Sequence, residues 1–289
     1  MGKSLTDAQI AAYRADGFVS RIPVLSRDEV ELLAQRIVAF ERQHPADVAW
    51  AFDIKCNLLH DWVVKAGTVK WMLDTVEDLI GPNIFMTDAV FRIKEPGSDV
   101  RYDWHQDSAR IQVEPCFVIG YLAVSRATEA NGCLKVIPRT HTTVQPFYVV
   151  ENAPGQPNRR VARAENPEID RAVPLELEAG EVAFFSSNLI HASGPNRAQD
   201  RRVAILYDYT AAHARQNVGR GSGQLVRGHD HWNHFGHEPL PGPEFTPEVA
   251  AMRRRFLRNY PENPLMGPRE PGIPIRFPDA FTGPFAERA

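Results

Sequence analysis

Near residue 81 the hydrophobic period of this chain changes, and that change limits its fold more than any other feature. Before it, apolar residues recur at helical spacing. After it they come in short β-branched or aromatic runs: Ile84–Ile93, Phe117–Val124, Cys133–Ile137, Val173–Leu177, Val182–Phe185 and Val203–Tyr209. Turn signals separate the runs, namely Glu95-Pro96-Gly97, Ala130-Asn131-Gly132, Glu178-Ala179-Gly180 and Gly194-Pro195-Asn196. Many short strands with no helices between them predict a mainly β architecture, a barrel or jelly roll, rather than a parallel α/β sheet.

The flanks carry helical decoration. Thr6-Asp7-Ala8-Gln9 and Ser26-Arg27-Asp28-Glu29 read as capping boxes, in which a hydroxyl and a Gln or Glu side chain satisfy the first free amides. Gly17 ends the first helix, and the second carries Val30, Leu33, Ile37 and Phe40 on one stripe. A third helix is predicted from about Thr68 to Ile80, stopped by Gly81-Pro82-Asn83. Asn152–Arg171 reads as a long surface insertion. Eleven of the 23 prolines fall between Pro239 and Pro284, interrupted by a helical stretch at Pro247–Arg258. Such a tail cannot build its own core, so it is expected to wrap the barrel or fray. The expected organisation over 1–289 is a single domain: a helical part at about 5–80, a jelly-roll core at about 84–210, and a His- and Pro-rich extension at about 211–289.

Charge and cysteine content exclude several functions. A formal net charge of −3 leaves no basic excess to neutralise phosphates, so nucleic acid is not an expected partner. No apolar run approaches the ~20 residues a membrane helix needs, and the first residues lack the apolar stretch of a secretory signal. Cys56, Cys116 and Cys133 are odd in number and form no CxxC pair, so they read as reduced thiols of a cytoplasmic protein.

The first chemical signal is Trp104-His105-Gln106-Asp107. On a strand or strand end, His105 and Asp107 point to the same face and can converge on one metal ion. Downstream, Leu189-Ile190-His191-Ala192-Ser193 places a second His just after an apolar run. Two His and one carboxylate with three open positions make the facial triad of non-haem Fe(II) oxygenases. Eleven residues after His191, on the next predicted strand, Arg202 could grip a carboxylate bidentately. The Ser193 hydroxyl could join it. Arg201 falls on the opposite face by alternation. The same residues also admit a surface His-Asp pair and a plain surface arginine.

Taken together, these stretches resemble the phytanoyl-CoA dioxygenase family of Fe(II)- and 2-oxoglutarate-dependent oxygenases. The matching pieces are Gly81-Pro82-Asn83-Ile84, Trp104-His105-Gln106-Asp107, Asn131-Gly132-Cys133-Leu134 running to Ile137-Pro138 and His141, Gly180-Glu181-Val182 with Phe184-Phe185, and His191-Ala192-Ser193-Gly194 leading through Asn196 to Arg202. The resemblance covers roughly residues 5 to 210. It implies a double-stranded β-helix core (jelly-roll, cupin-like) with the N-terminal helices packed on the major sheet. It also implies His105, Asp107 and His191 as iron ligands, and Arg202 as the anchor for the distal carboxylate of 2-oxoglutarate. Lys55 is implied near the co-substrate, and Tyr121 would flank it where relatives often carry Trp. The family's usual Pro-Gly-Ser-His is here Pro138-Arg139-Thr140-His141, a change that brings a cation near the pocket.

The activity implied is hydroxylation of an unactivated C–H bond of a small molecule using O2, with 2-oxoglutarate decarboxylated to succinate and CO2. Desaturation, epoxidation and cyclisation begin with the same abstraction. The Asp107 carboxylate occupies the position that halogenating relatives leave open for chloride. Gln106 and Asn131 are candidates to orient the ligands. Asp88 and Val90 are expected to face the iron, with Arg139 and His141 at the substrate pocket. Arg92, Arg110 and Arg139 would favour an anionic substrate. Within Gly228–His237, four of the ten histidines fall in nine residues, and the segment is expected to fold over the barrel mouth rather than hold the catalytic metal. A monomer or homodimer is expected. A non-catalytic metal- or ligand-binding barrel is the alternative from another class, and a zinc-dependent hydrolase or isomerase a third.

Overall fold

The computed structural model describes residues 2–151, 160–243, 245–257 and 274–275. Two antiparallel sheets face one another. The larger runs in the order Phe18–Pro23, Glu181–Ser186, Val118–Ala123, Arg202–Ala211, Ile84–Lys94, Ser222–Arg227 and Gly236–His237, the last pair being parallel. The smaller runs Tyr102–His105, His191–Ser193, Leu134–Val136 and Val173–Leu175. Strands adjacent in space are far apart in the chain, as a double-stranded β-helix requires. The fold is mainly β, a jelly roll decorated by helices.

Period-two alternation sorts the larger sheet into two faces. Ile119, Tyr121, Ala123, Phe185, Ala204 and Leu206 point inward, and pack with Leu134, Val136 and Leu175 of the smaller sheet. Their neighbours Val118, Leu122, Phe184, Val203, Ile205, Tyr207 and Tyr209 point outward, onto Leu33, Ile37, Phe40, Met72 and Val76 of the helices. Both faces are therefore buried, which is why these strands read as unbroken apolar runs. The Tyr207 and Tyr209 hydroxyls donate to the carbonyls of Val63 (3.0 Å) and Gly67 (2.6 Å), fixing the helical layer at about 1 kcal/mol per bond.

Both predicted capping boxes form, at Thr6 with Gln9 and at Ser26 with Glu29. Gly17 adopts the left-handed conformation (φ 86°) that ends its helix, and a Cβ there would lie 2.6 Å from the His141 ring. The third predicted helix forms at Lys70–Ile80, with a separate short helix at Asp61–Gly67 before it. The strand Phe18–Pro23 was not anticipated: it pairs with Glu181–Ser186 at the sheet edge, a partner more than 150 residues away.

The segment expected to be a surface insertion differs as well. Residues 152–159 lie outside the described residues, but Arg160–Ala164 forms a strand paired with Phe147–Glu151. Ala162 and Ala164 are buried, and Arg163 forms an ion pair with Asp103. Of the tail, Ser222–Arg227 extends the larger sheet, and a helix forms at Pro247–Leu257. The remainder from 258, apart from 274–275, lies outside the described residues. No helix among the described residues is long and apolar enough to cross a membrane.

Candidate metal centre

His105 and His191 are directly opposed on neighbouring antiparallel strands, so both side chains stand on the same inner face. Their ring centroids are 4.2 Å apart. Asp107 follows two residues after His105, where the strand gives way to a turn of 3-10 helix, and its carboxylate swings between them. His105 Nε2 is 3.4 Å from Asp107 Oδ1, and His191 Nε2 is 3.6 Å from Oδ2. One ligand atom from each residue lies within 4.8 Å of the others, and this is the one such His/Cys/Asp/Glu group among the described residues. Each imidazole is oriented in the same way: Nδ1 donates to the carbonyl two residues upstream, of Asp103 for His105 (2.7 Å) and of Leu189 for His191 (2.9 Å). That fixes the tautomer and aims both Nε2 lone pairs at one point.

Two of the three charge states suit a cation. Burial, and then the neighbouring His105, push His191 down to about 4, so it is a neutral ligand at pH 7. Burial alone would raise the Asp107 carboxyl, but His191, His105 and Arg92 outweigh it and hold the group well below the usual carboxylate range. Burial lowers His105, yet its hydrogen bond and charge contact with Asp107 win and its pKa rises.

The triad opens into a solvent-open cavity, about 710 Å³ when the space at its mouth is included. Its wall on the larger sheet is built from alternate residues of two strands: Asp88, Val90 and Arg92 on one, Arg202, Leu206 and Asp208 on the other. Tyr121, Ser193, Tyr102 and Arg110 complete much of the lining. Arg202 is 1% exposed. Its Nη1 donates to the Tyr121 hydroxyl, while Nε and Nη2 have no acceptor. Two buried guanidinium donors that face a cavity without a partner fit a carboxylate. Arg201 turns the other way, to Glu41 and Glu95. At the far end Asp88 and Asp208 sit in cross-strand register, and burial together with Asp88 raises the Asp208 pKa well above its ordinary value.

The cavity thus gathers His105, Asp107, His191, Arg202, Ser193, Tyr121, Asp88 and Val90, but not three other expected residues. Lys55 heads a turn of 3-10 helix with φ 64°, which sends its ammonium to Glu238 (2.6 Å) and the carbonyls of Thr87 and Ser222 (2.9 Å). It lines a neighbouring cavity of about 340 Å³ rather than the triad's. Arg139 and His141 also lie elsewhere: their turn packs against the end of the first helix. Arg139 Nε donates to Asp16 Oδ1 (3.0 Å), and His141 Nε2 meets the Arg14 carbonyl (3.2 Å). Arg139 takes the left-handed conformation (φ 67°), which accounts for the glycine usual at that turn.

Gln106 and Asn131 do not touch the ligands. Gln106 donates to the carbonyls of Thr140 (3.2 Å), Thr143 (3.0 Å) and Asn188, pinning the loops behind the ligand strand. Asn131 closes its own turn with Thr128 and Asp200. The His229–His237 segment misses the mouth: Phe235 is buried against Phe85 and lines the smaller cavity, and His237 pairs with Asp230. Lys94, Tyr102 and Asp208 were missed by sequence reasoning. Alternation could have found two of them, since Lys94 continues the series 88, 90, 92 and Asp208 the series 202, 204, 206.

Comparison with known proteins agrees with this fold. The family model for phytanoyl-CoA dioxygenase (PhyH) matches residues 13–204, about two-thirds of the chain. The peroxisomal phytanoyl-CoA dioxygenase of Homo sapiens is 30% identical over 163 residues, covering 54% of this chain and 48% of that protein. A probable phytanoyl-CoA dioxygenase of Caenorhabditis elegans is 32% identical over 149 residues, 48% of this chain and 47% of that one. The chain thus spans about half the length of these curated relatives. Among solved structures, the apo form of the non-heme monooxygenase ThoJ superposes with a TM-score of 0.77 at 23% identity, covering 87% of this chain and 95% of that one. CytC3 with Fe(II) and alpha-ketoglutarate gives 0.62 at 20% identity, covering 86% and 98%. Those likenesses concern the fold; the matched residues run from the first helix to beyond Arg202, and the chain belongs to the phytanoyl-CoA dioxygenase family.

Proposed function

We propose that this chain is a non-haem oxygenase that uses Fe(II), 2-oxoglutarate and O2 to hydroxylate an unactivated C–H bond of a small molecule. The observation that carries the reading is the pairing of a convergent His-Asp-His set with a buried arginine whose two free donors face the same cavity. His105, Asp107 and His191 would hold the iron, which would supply the oxidation while 2-oxoglutarate leaves as succinate and CO2. Arg202 and Ser193 would bind the distal carboxylate of 2-oxoglutarate, and Tyr121, bonded to Arg202, would fix that guanidinium in plane beside it. Val90, Ile111, Leu134 and Leu206 exclude water around the target bond.

Asp107 fills the position a halide would need, which favours hydroxylation over halogenation. Desaturation, epoxidation or cyclisation would follow from a different placement of the same substrate. Arg92 and Arg110 on the wall support an anionic group on the substrate, while Asp88 and Asp208, whose carboxyl is held toward its neutral form, line the same cavity. The free thiols Cys56, Cys116 and Cys133 support a reducing, cytoplasmic setting.

The decisive experiment is a screen for substrate-stimulated succinate formation across acidic, amino-acid and natural-product scaffolds. Without oxygen, Fe(II) and 2-oxoglutarate should together give a weak visible metal-to-ligand absorption. Well-folded protein lacking both signals would favour a non-catalytic binding barrel, and turnover with zinc that ignores O2 and 2-oxoglutarate would favour a hydrolase or isomerase.

A further inference from the structure

Lys94 and Arg202 are directly opposed on neighbouring antiparallel strands, 0% and 1% exposed. Like charges facing each other across two strands repel, and removing both from water without counter-ions costs more still. Neither residue forms an ion pair with a carboxylate among the described residues. A buried pair of this kind holds both charges together only when an anion is supplied from outside the chain.

Lys94 shares the inner face with Arg202 but does not itself line the cavity. Its Nζ donates to Ser193 Oγ (2.8 Å) and to the Gly194 carbonyl, and lies 5.8 Å from the centroid of the Tyr102 ring. Ser193 does line the cavity, two residues beyond the ligand His191. A hydroxyl that accepts from an ammonium keeps its own proton to donate elsewhere. With Lys94 behind it, that proton is directed toward the cavity, beside the free donors of Arg202. The backbone carbonyl of Lys94 in turn accepts from Asn196 Nδ2 (3.0 Å), which locks the corner following Ser193.

We infer that Lys94 is a positioning residue for the co-substrate: it orients the Ser193 hydroxyl and doubles the positive charge at the Arg202 end, so that this end selects a ligand with a distal carboxylate. The inference rests on the oxygenase reading above. A consequence concerns protons. Burial, and then Arg202, push Lys94 down to about 7; Arg92 on its own strand lowers it further, Cys133 opposes the shift, and the Tyr102 ring packs beside it. A carboxylate bound at Arg202 favours the ammonium form, so 2-oxoglutarate binding at pH 8 should take up a proton at Lys94.

The test is anaerobic calorimetry of 2-oxoglutarate binding to the Ni(II)-loaded full chain at pH 8, in two buffers of different protonation enthalpy. Wild type should bind with net proton uptake. Lys94→Met, which keeps the volume and removes the charge, should lose at least tenfold in 2-oxoglutarate affinity together with that uptake. Its Ni(II) affinity should stay within threefold. Its binding of 2-oxovalerate, a keto acid without the distal carboxylate, should change less than twofold. Lys94→Arg should regain part of the affinity, and the Lys94→Met penalty should shrink in a Ser193→Ala background. Affinity for 2-oxoglutarate within threefold of wild type, or equal losses for both keto acids, would overturn the inference while leaving the oxygenase reading standing. Failure of the wild type to bind 2-oxoglutarate at all would overturn both.

Discussion

Replacing Arg202 by methionine should separate co-substrate binding from folding. In the protein without ligand, the guanidinium spends one donor on Tyr121 and leaves two buried donors unmet, opposite the charge of Lys94. Each unmet buried donor costs about 1–3 kcal/mol. Methionine removes those donors and the repulsion while filling most of the volume, so the metal-free variant should be as stable as wild type or more stable by up to ~2 kcal/mol. The bound state behaves in the opposite way. Two charge-assisted bonds to a carboxylate are worth about 1.5–3 kcal/mol each, so the variant should lose about 3–6 kcal/mol of 2-oxoglutarate affinity, roughly two to four orders of magnitude. Urea unfolding of the metal-free protein and anaerobic calorimetry of the metal-loaded protein measure the two halves. A variant destabilised by more than ~2 kcal/mol that still binds 2-oxoglutarate within about tenfold of wild type would make Arg202 a structural residue and refute the anchor.

Three other outcomes are expected. Asp107→Ala should abolish 2-oxoglutarate-dependent turnover and weaken Fe(II) binding by more than about tenfold, since even outer partners of metal ligands are worth about 10–100-fold; full activity would misassign the carboxylate. His60 lies among Phe40, Phe52, Trp62 and Phe245, and burial pushes it down to about 4, so the unfolded chain binds the extra proton between its ordinary value and pH 4. Its contribution is thus present at pH 7 and lost as the pH falls through that window. Wild type should lose about 2–3 kcal/mol between pH 7 and 4.5 that His60→Gln does not lose, and parallel urea midpoints for the two would refute it. Arg139→Ala removes a largely exposed ion pair with Asp16, neither residue lining the cavity, so stability should change by about 0–1 kcal/mol with no change in substrate or co-substrate KM. A raised KM would return that turn to the pocket.

Much of the fold was legible because its signals are local. The two capping boxes, the glycine stop at Gly17 and the runs that become the central strands depend on neighbours within four residues. The triad was legible for a related reason: His105 and Asp107 are two apart at a strand end, and the length of chain to His191 is what a sheet closing on itself needs. The strand Phe18–Pro23 was not legible, because what makes it a strand is an edge at Glu181–Ser186 rather than its own residues.

The amino-acid sequence by itself determined the class of fold and singled out the His-Asp-His set and Arg202 as candidates, since alternation and caps act over a few residues and need no knowledge of what lies opposite. Tertiary structure alone decided which charges share the cavity. It sent Lys55 to Glu238, 183 positions away, turned Arg139 outward onto Asp16, and set Lys94 against Arg202 and Asp88 against Asp208. The last two pairings follow from strand register. A shift of a single residue reverses the face of every side chain on a strand, and register is set by packing both faces of the sheet at once, against the helices and against the smaller sheet.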